Sequence, residues 1–163
     1  MTPLPAADHL GELAREVFER HGQRSAFTTC LPNGMHGTLS YAETALQVEA
    51  LAAYLQSVAG VGCGDRVALL LPNCLAYPVA ALAVFRIGAV LVNLSAASGP
   101  AELSRSLADS DPCALITLDL LLARVERAGL PAQVRTVIAA RLGFGFPPLV
   151  AAVVQGLLKY WHR

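Results

Sequence analysis

A chain of 163 residues with twelve basic and twelve acidic side chains carries no net charge, which argues against the clustered positive surface that gripping a nucleic acid requires. Hydrophobic residues make up 55% and mean hydropathy is +0.51, so the chain is oily, and its length suits one domain whose core needs no disulfide staples. The cysteines Cys30, Cys63, Cys74 and Cys113 form no CxxC pair and share no zinc-type spacing with histidine; they read as free thiols of a reducing cytoplasm.

The opening MTPLPAADHLGE has no basic and no apolar region and is not read as a signal peptide. Asp8 to Arg20 carries Leu10, Leu13, Ala14, Val17 and Phe18 at helical spacing, with Gly22 as the stop. Ser25–Thr29 and Gly37–Leu39 flank a Leu31-Pro32-Asn33-Gly34 turn, a hairpin pattern. Ser40-Tyr41-Ala42-Glu43 is a capping box, in which the serine oxygen accepts a first-turn amide and the glutamate reaches back. The helix it opens shows Ala45, Val48, Leu51, Ala52, Leu55 and Val58, and Gly60 ends it.

A strand is expected from Arg66 to Leu71, then a helix from Cys74 to Arg86 capped by Asn73 and stopped by Gly88. A second strand covers Ala89 to Leu94. Gly99-Pro100-Ala101-Glu102 opens a helix reaching about Asp109, with proline at its first position. Cys113–Leu118 is a third strand, Leu120–Ala128 a helix stopped by Gly129, and Val134–Ala139 a fourth strand. Strands alternating with short helices predict an α/β fold, with a mainly parallel sheet and helices on both faces. The near-continuous apolar strands suit a sheet covered on both sides. Val67 to Leu94 is broken by Pro72, Asn73, Pro78, Arg86 and Asn93, so it reads as strand–helix–strand and not as a membrane span.

Residues 1–142 are expected to form the α/β subdomain and residues 143–163 an apolar tail helix, set off by Gly143-Phe144-Gly145-Phe146-Pro147-Pro148. Leu149, Val150, Val153, Val154, Leu157 and Leu158 share one helical stripe, with Tyr160 and Trp161 beyond. Such a helix docks on the domain or on a partner, or it lies on a membrane surface through residues 149–163 with its aromatic and basic end at the headgroups.

Few groups suggest chemistry. Gly60-Val61-Gly62-Cys63-Gly64 resembles a phosphate loop in composition, but it follows a helix and precedes a strand, the reverse of what presents a helix N-terminus to phosphate. It reads as a turn. There is no Walker loop and no Gly-x-Ser-x-Gly elbow. His9, His21, His36 and His162 are scattered, and Asp109 and Asp111 read as solvated carboxylates at a helix end.

From Leu39 to Thr117 the chain resembles the N-terminal part of adenylate-forming acyl-CoA ligases, above all bacterial long-chain fatty-acid CoA ligases. The matching runs are Ser40-Tyr41-Ala42-Glu43, Ala53-Tyr54-Leu55-Gln56, Gly64-Asp65-Arg66-Val67-Ala68-Leu69, Leu71-Pro72-Asn73-Cys74 and Tyr77-Pro78-Val79-Ala80. Arg86-Ile87-Gly88-Ala89-Val90-Leu91-Val92-Asn93 and Pro100-Ala101-Glu102-Leu103 follow in order. Weaker similarity continues through Val134–Leu142 to the tail. The resemblance implies the N-terminal subdomain of a ligase-like fold. Its family reaction joins a fatty-acid carboxylate to the α-phosphate of ATP, then passes the acyl group to the thiol of coenzyme A.

That chemistry uses a Ser/Thr/Gly-rich loop ending in lysine, an acidic magnesium ligand, a ribose-binding aspartate and a catalytic lysine, all beyond the matched region. The sole lysine here is Lys159. The expectation is therefore a truncated ligase, inactive alone, with no catalytic, cofactor-binding or metal-ligating residue and no cofactor of its own (the family's are ATP, magnesium and coenzyme A). The alternative is an interaction module or half of a split ligase, completed by a ligase-like chain. The expected location is the cytoplasm, with membrane association through the tail. One departure is local: where the family reads Val-Asn-Pro-Leu-Tyr-Thr, this chain continues from Asn93 as Leu94-Ser95-Ala96-Ala97-Ser98-Gly99.

Overall fold

The computed structural model describes residues 10–31 and 34–152. The elements run α1 (Leu10–His21), β1 (Ser25–Cys30), β2 (His36–Ser40), α2 (Tyr41–Ser57), β3 (Arg66–Leu70) and α3 (Ala76–Arg86). They continue with β4 (Val90–Asn93), α4 (Pro100–Ser110), β5 (Ala114–Leu118), a single 3-10 turn (Asp119–Leu121), α5 (Leu122–Ala128) and β6 (Thr136–Ala140). β1 and β2 form the expected antiparallel hairpin. The other four strands make one sheet in the order β4-β3-β5-β6, every pairing parallel.

Alternation along β3 feeds two cores. Val67 and Leu69 point to the face covered by α1, α2 and α3, while Ala68 and Leu70 face Leu103 and Leu107 of α4 and Val125 of α5. Helices therefore lie on both faces, as the apolar strands predict. All five residues of β5 are buried, and full burial of each Leu or Ile side chain contributes roughly 1.5–3 kcal/mol. Close approach has its own residue requirement. Gly11 of α1 crosses the end of α3 so tightly that a Cβ there would sit 2.8 Å from the Arg86 Cα.

The capping box of α2 is formed. The Ser40 amide donates to Glu43 Oε2 at 2.8 Å, and the Glu43 amide donates to Ser40 Oγ at 3.2 Å. Asn73, by contrast, does not cap α3. That helix starts at Ala76 after Leu75, with no side-chain bond from the cap residue. Pro78 supplies the reason: it has no N–H and must fall among the first residues, whose amides lack intrahelical partners. A start at Cys74 would place Pro78 inside the helix and deny the Cys74 carbonyl its donor. Smaller shifts have similar causes. β6 begins at Thr136, because the Val134 amide is held by the Pro131 carbonyl at 3.0 Å in a turn, and the start of the predicted Leu120 helix is the 3-10 turn, with the Leu120 amide on Asp119 Oδ1 at 2.9 Å.

After β6, Leu142 and Phe144 pack against the larger core, and a helical turn covers 148–152. The remainder of the expected tail helix, from residue 153, lies outside the described residues, as do His9 and His162.

The capping box makes a pH prediction. Bonds from Ser40 hold the Glu43 carboxyl below its ordinary value of 4.5. A depressed folded-state value means that the stabilising contribution is full above that ordinary value and is lost as pH falls through the lower one. Chemical denaturation of the wild type and of Glu43→Gln should show a stability gap at neutral pH that closes under acid. Ser40→Ala should cost about 1 kcal/mol at neutral pH.

Candidate functional site

In a parallel α/β sheet the place to look is outside the carboxyl ends of the strands, where neighbouring connections part to opposite faces. Here that point lies between β3 and β5, because the chain leaves β3 for α3 on one face and leaves β5 for α5 on the other. Pro72, Asn73 and Cys74 form one lip and Asp119 the other. Several polar groups around this crevice are already engaged. Thr117 Oγ1 donates to the Leu70 carbonyl at 3.2 Å, Tyr77 donates to Asn93 Oδ1 at 3.1 Å, and Asp119 holds its own turn.

Cys74 lies one residue before Leu75, the cap position of α3. Its sulfur faces the Tyr77 and Ala76 amides, but burial outweighs them and pushes the thiol above its ordinary value of 9.0. It is a protonated, half-buried thiol and not an activated nucleophile. It shares a cleft of about 470 Å³ with Cys30 of the hairpin, between Thr28 and Pro78.

The larger hollow is an apolar groove of about 730 Å³ on the α2–α3 face. Ala50 and Leu51 of α2, Val79 of α3 and Ile138 and Ala140 of β6 wall it, Phe144 and Ala151 close one side, and Arg141 and Gln47 supply polarity. Apolar walls of this kind bind aliphatic surface and have little for a phosphate.

A nucleoside triphosphate with magnesium does not fit these residues. The glycine run sits at the amino ends of the strands, and its Gly62 amide is taken by Asp65 Oδ2 at 2.8 Å. Arg66 is paired with Asp111 at 3.0 Å and Arg86 with Glu49 at 2.8 Å. Arg124 donates to the carbonyls of Ala96 and Ser98, which pins the divergent 94–99 loop against α5. Arg135 reaches the Gly60 carbonyl at 3.4 Å. Among the described residues no three His, Cys, Asp or Glu side chains gather into a group suited to a metal ion. Asp111 is a structural residue: it takes the left-handed position closing α4 (φ 47) and bridges to Arg66. His21 packs its ring against Tyr41 with centroids 5.7 Å apart.

The family model of AMP-binding enzymes matches residues 14–149. The chain belongs to that family. The long-chain-fatty-acid–CoA ligase of Yersinia pestis is 34% identical over 148 residues, covering 91% of this chain and 26% of that protein. A benzoate CoA ligase from Burkholderia xenovorans superposes with a TM-score of 0.70 at 21% identity, over 82% of this chain and 26% of its own. A fatty acyl CoA synthetase of Mycobacterium tuberculosis superposes with a TM-score of 0.70 at 24% identity, over 81% of this chain and 26% of its own. The fold is thus that of acyl-CoA ligases, and the chain spans about a quarter of the length of the relatives it matches.

Thiol chemistry checks the description of the crevice. Timed alkylation read by mass spectrometry should label the exposed Cys30 and Cys63 first, with Cys74 well behind them. Equal rates for all three would contradict the burial and protonation of Cys74.

Proposed function

We propose that this chain acts as the N-terminal part of an AMP-forming long-chain fatty-acid CoA ligase and is inactive by itself. The observation that carries the reading is the match over 91% of the chain to the Yersinia pestis ligase, joined to a crevice in which Thr117, Tyr77 and Asp119 are spent on the fold. In this reading the segment is scaffold. It sets the first strands of the sheet and their two cores, while ATP, magnesium and coenzyme A are handled by groups that the matched region does not contain. A ligase-like chain bearing those groups is the partner that the reading calls for.

The test separates fold from chemistry. Purified chain with ATP, magnesium and a long-chain fatty acid should yield no acyl-adenylate. Residues 14–149 grafted in place of the matching segment of the Yersinia pestis ligase should give an enzyme that still forms acyl-CoA. Adenylate from the chain alone, or a folded graft without activity, would overturn the reading.

A membrane-surface role within the cytoplasm is supported by Leu149, 84% exposed at the start of the apolar tail. No helix among the described residues is long and apolar enough to cross a bilayer. Sedimentation with anionic vesicles, compared with a variant lacking residues 149–163, decides it: equal sedimentation removes the role.

A further inference from the structure

The cysteines fall into two pairs at opposite ends of β3. Cys63 sits in the turn before that strand, its sulfur over Gly88, where an added Cβ would lie 2.9 Å from it. The Cys113 amide donates to the Arg66 carbonyl at 2.9 Å, at the same amino end. Cys30 closes β1 and Cys74 follows β3, and both line the 470 Å³ cleft between the hairpin and the start of α3. The length of β3 alone, Arg66–Leu70, sets the two pairs about 13 Å apart.

Two close approaches hold the walls of that cleft together. Gly37 of β2, which pairs with Thr29, lies so near Leu75 that an added Cβ would sit 3.1 Å from Leu75 Cδ1. Gly145 presses on the same methyl group, where its own added Cβ would come within 2.5 Å. Cys30 follows Thr29 and Cys74 precedes Leu75, so the two cysteines flank one fixed contact. They differ in access: Cys30 is exposed and Cys74 half-buried. An accessible thiol beside a sheltered one is the arrangement in which the first takes up an oxidant and the second resolves it.

We infer that Cys30 and Cys74 form a reversible dithiol–disulfide pair, closed by peroxide, that locks the hairpin to the start of α3. The Cys30 sulfur attacks one peroxide oxygen, the O–O bond breaks, and the departing hydroxide is protonated to water, leaving a sulfenic acid. The Cys74 sulfur then attacks the Cys30 sulfur, the S–O bond breaks, and a second water leaves. Two thiols are oxidised and one hydrogen peroxide is reduced. Glutathione reverses the step, two of its thiols being oxidised to a disulfide as the protein bond opens. In a reducing compartment such a bond is transient and redox-sensing. It joins β1 to the lip of the crevice at residues 72–74. The inference goes beyond the ligase reading and does not depend on it.

The test treats the reduced full chain with hydrogen peroxide and alkylates the remaining thiols. Cleavage at arginine and glutamate then puts the four cysteines on four separate peptides. Mass spectrometry should find the Cys30 peptide joined to the Cys74 peptide, with the bond lost on adding glutathione. The link should form at least tenfold faster in the folded chain than in denaturant and should be unchanged in Cys63→Ser. Closing the loop from 30 to 74 restricts the unfolded chain, so the oxidised protein should unfold at a higher denaturant midpoint than the reduced one. Cys30 and Cys74 left unlinked, links only to Cys63, to Cys113 or between copies of the chain, or a link no faster in the folded chain would overturn the pair. An unchanged or lower midpoint would overturn the lock.

Discussion

Everything in this fold hangs on β3. It is hydrogen-bonded on both sides, to β4 through Arg66–Leu69 and to β5 through Val67–Leu70, and its alternate side chains start two separate cores. A parallel strand in that position is stable only if both faces are covered. The demand recruits α1, α2 and α3 to one side and α4 and α5 to the other. It also creates the divergence of connections at the β3–β5 boundary. Thr117, buried in β5, meets the demand by giving its hydroxyl to the Leu70 carbonyl, since a polar group there without a partner would cost about 1–3 kcal/mol.

Local signals were legible wherever one residue type performs one local task. Ser40 and Glu43 close their box within four residues, and the 60–64 glycine run declares itself a turn by its order between helix and strand. Asn73 misled because cap preference and proline placement compete over the same few residues, and a missing N–H at Pro78 constrains the start more than a favourable cap does. The sulfur of Cys74 facing the first amides of α3 leaves no sequence signal that separates it from a small core residue. Long-range facts were illegible for a different reason. The pairing of Arg66 with Asp111 and the order β4-β3-β5-β6 depend on which strand inserts beside which, and periodicity carries no term for that. The candidate crevice and groove were missed entirely, since each is assembled from segments far apart in the chain.

The resemblance and the geometry meet at a division of labour. Adenylation needs donors fixed in advance around a phosphate that gains charge in the transition state. The matched quarter commits Arg66 and Arg86 to ion pairs and Arg124 and Arg135 to loop carbonyls, and the hydroxyls of Thr117 and Tyr77 to Leu70 of β3 and Asn93 of β4. Those commitments tie the strand ends to their neighbours. Under the proposed ligase reading that is what a scaffold would contribute, because a catalytic group misplaced by about 1 Å can lose two orders of magnitude in rate. The loop at 94–99 fits this pattern. It lacks the proline, aromatic and threonine that the resemblance leads one to expect there, yet Arg124 ties it to α5.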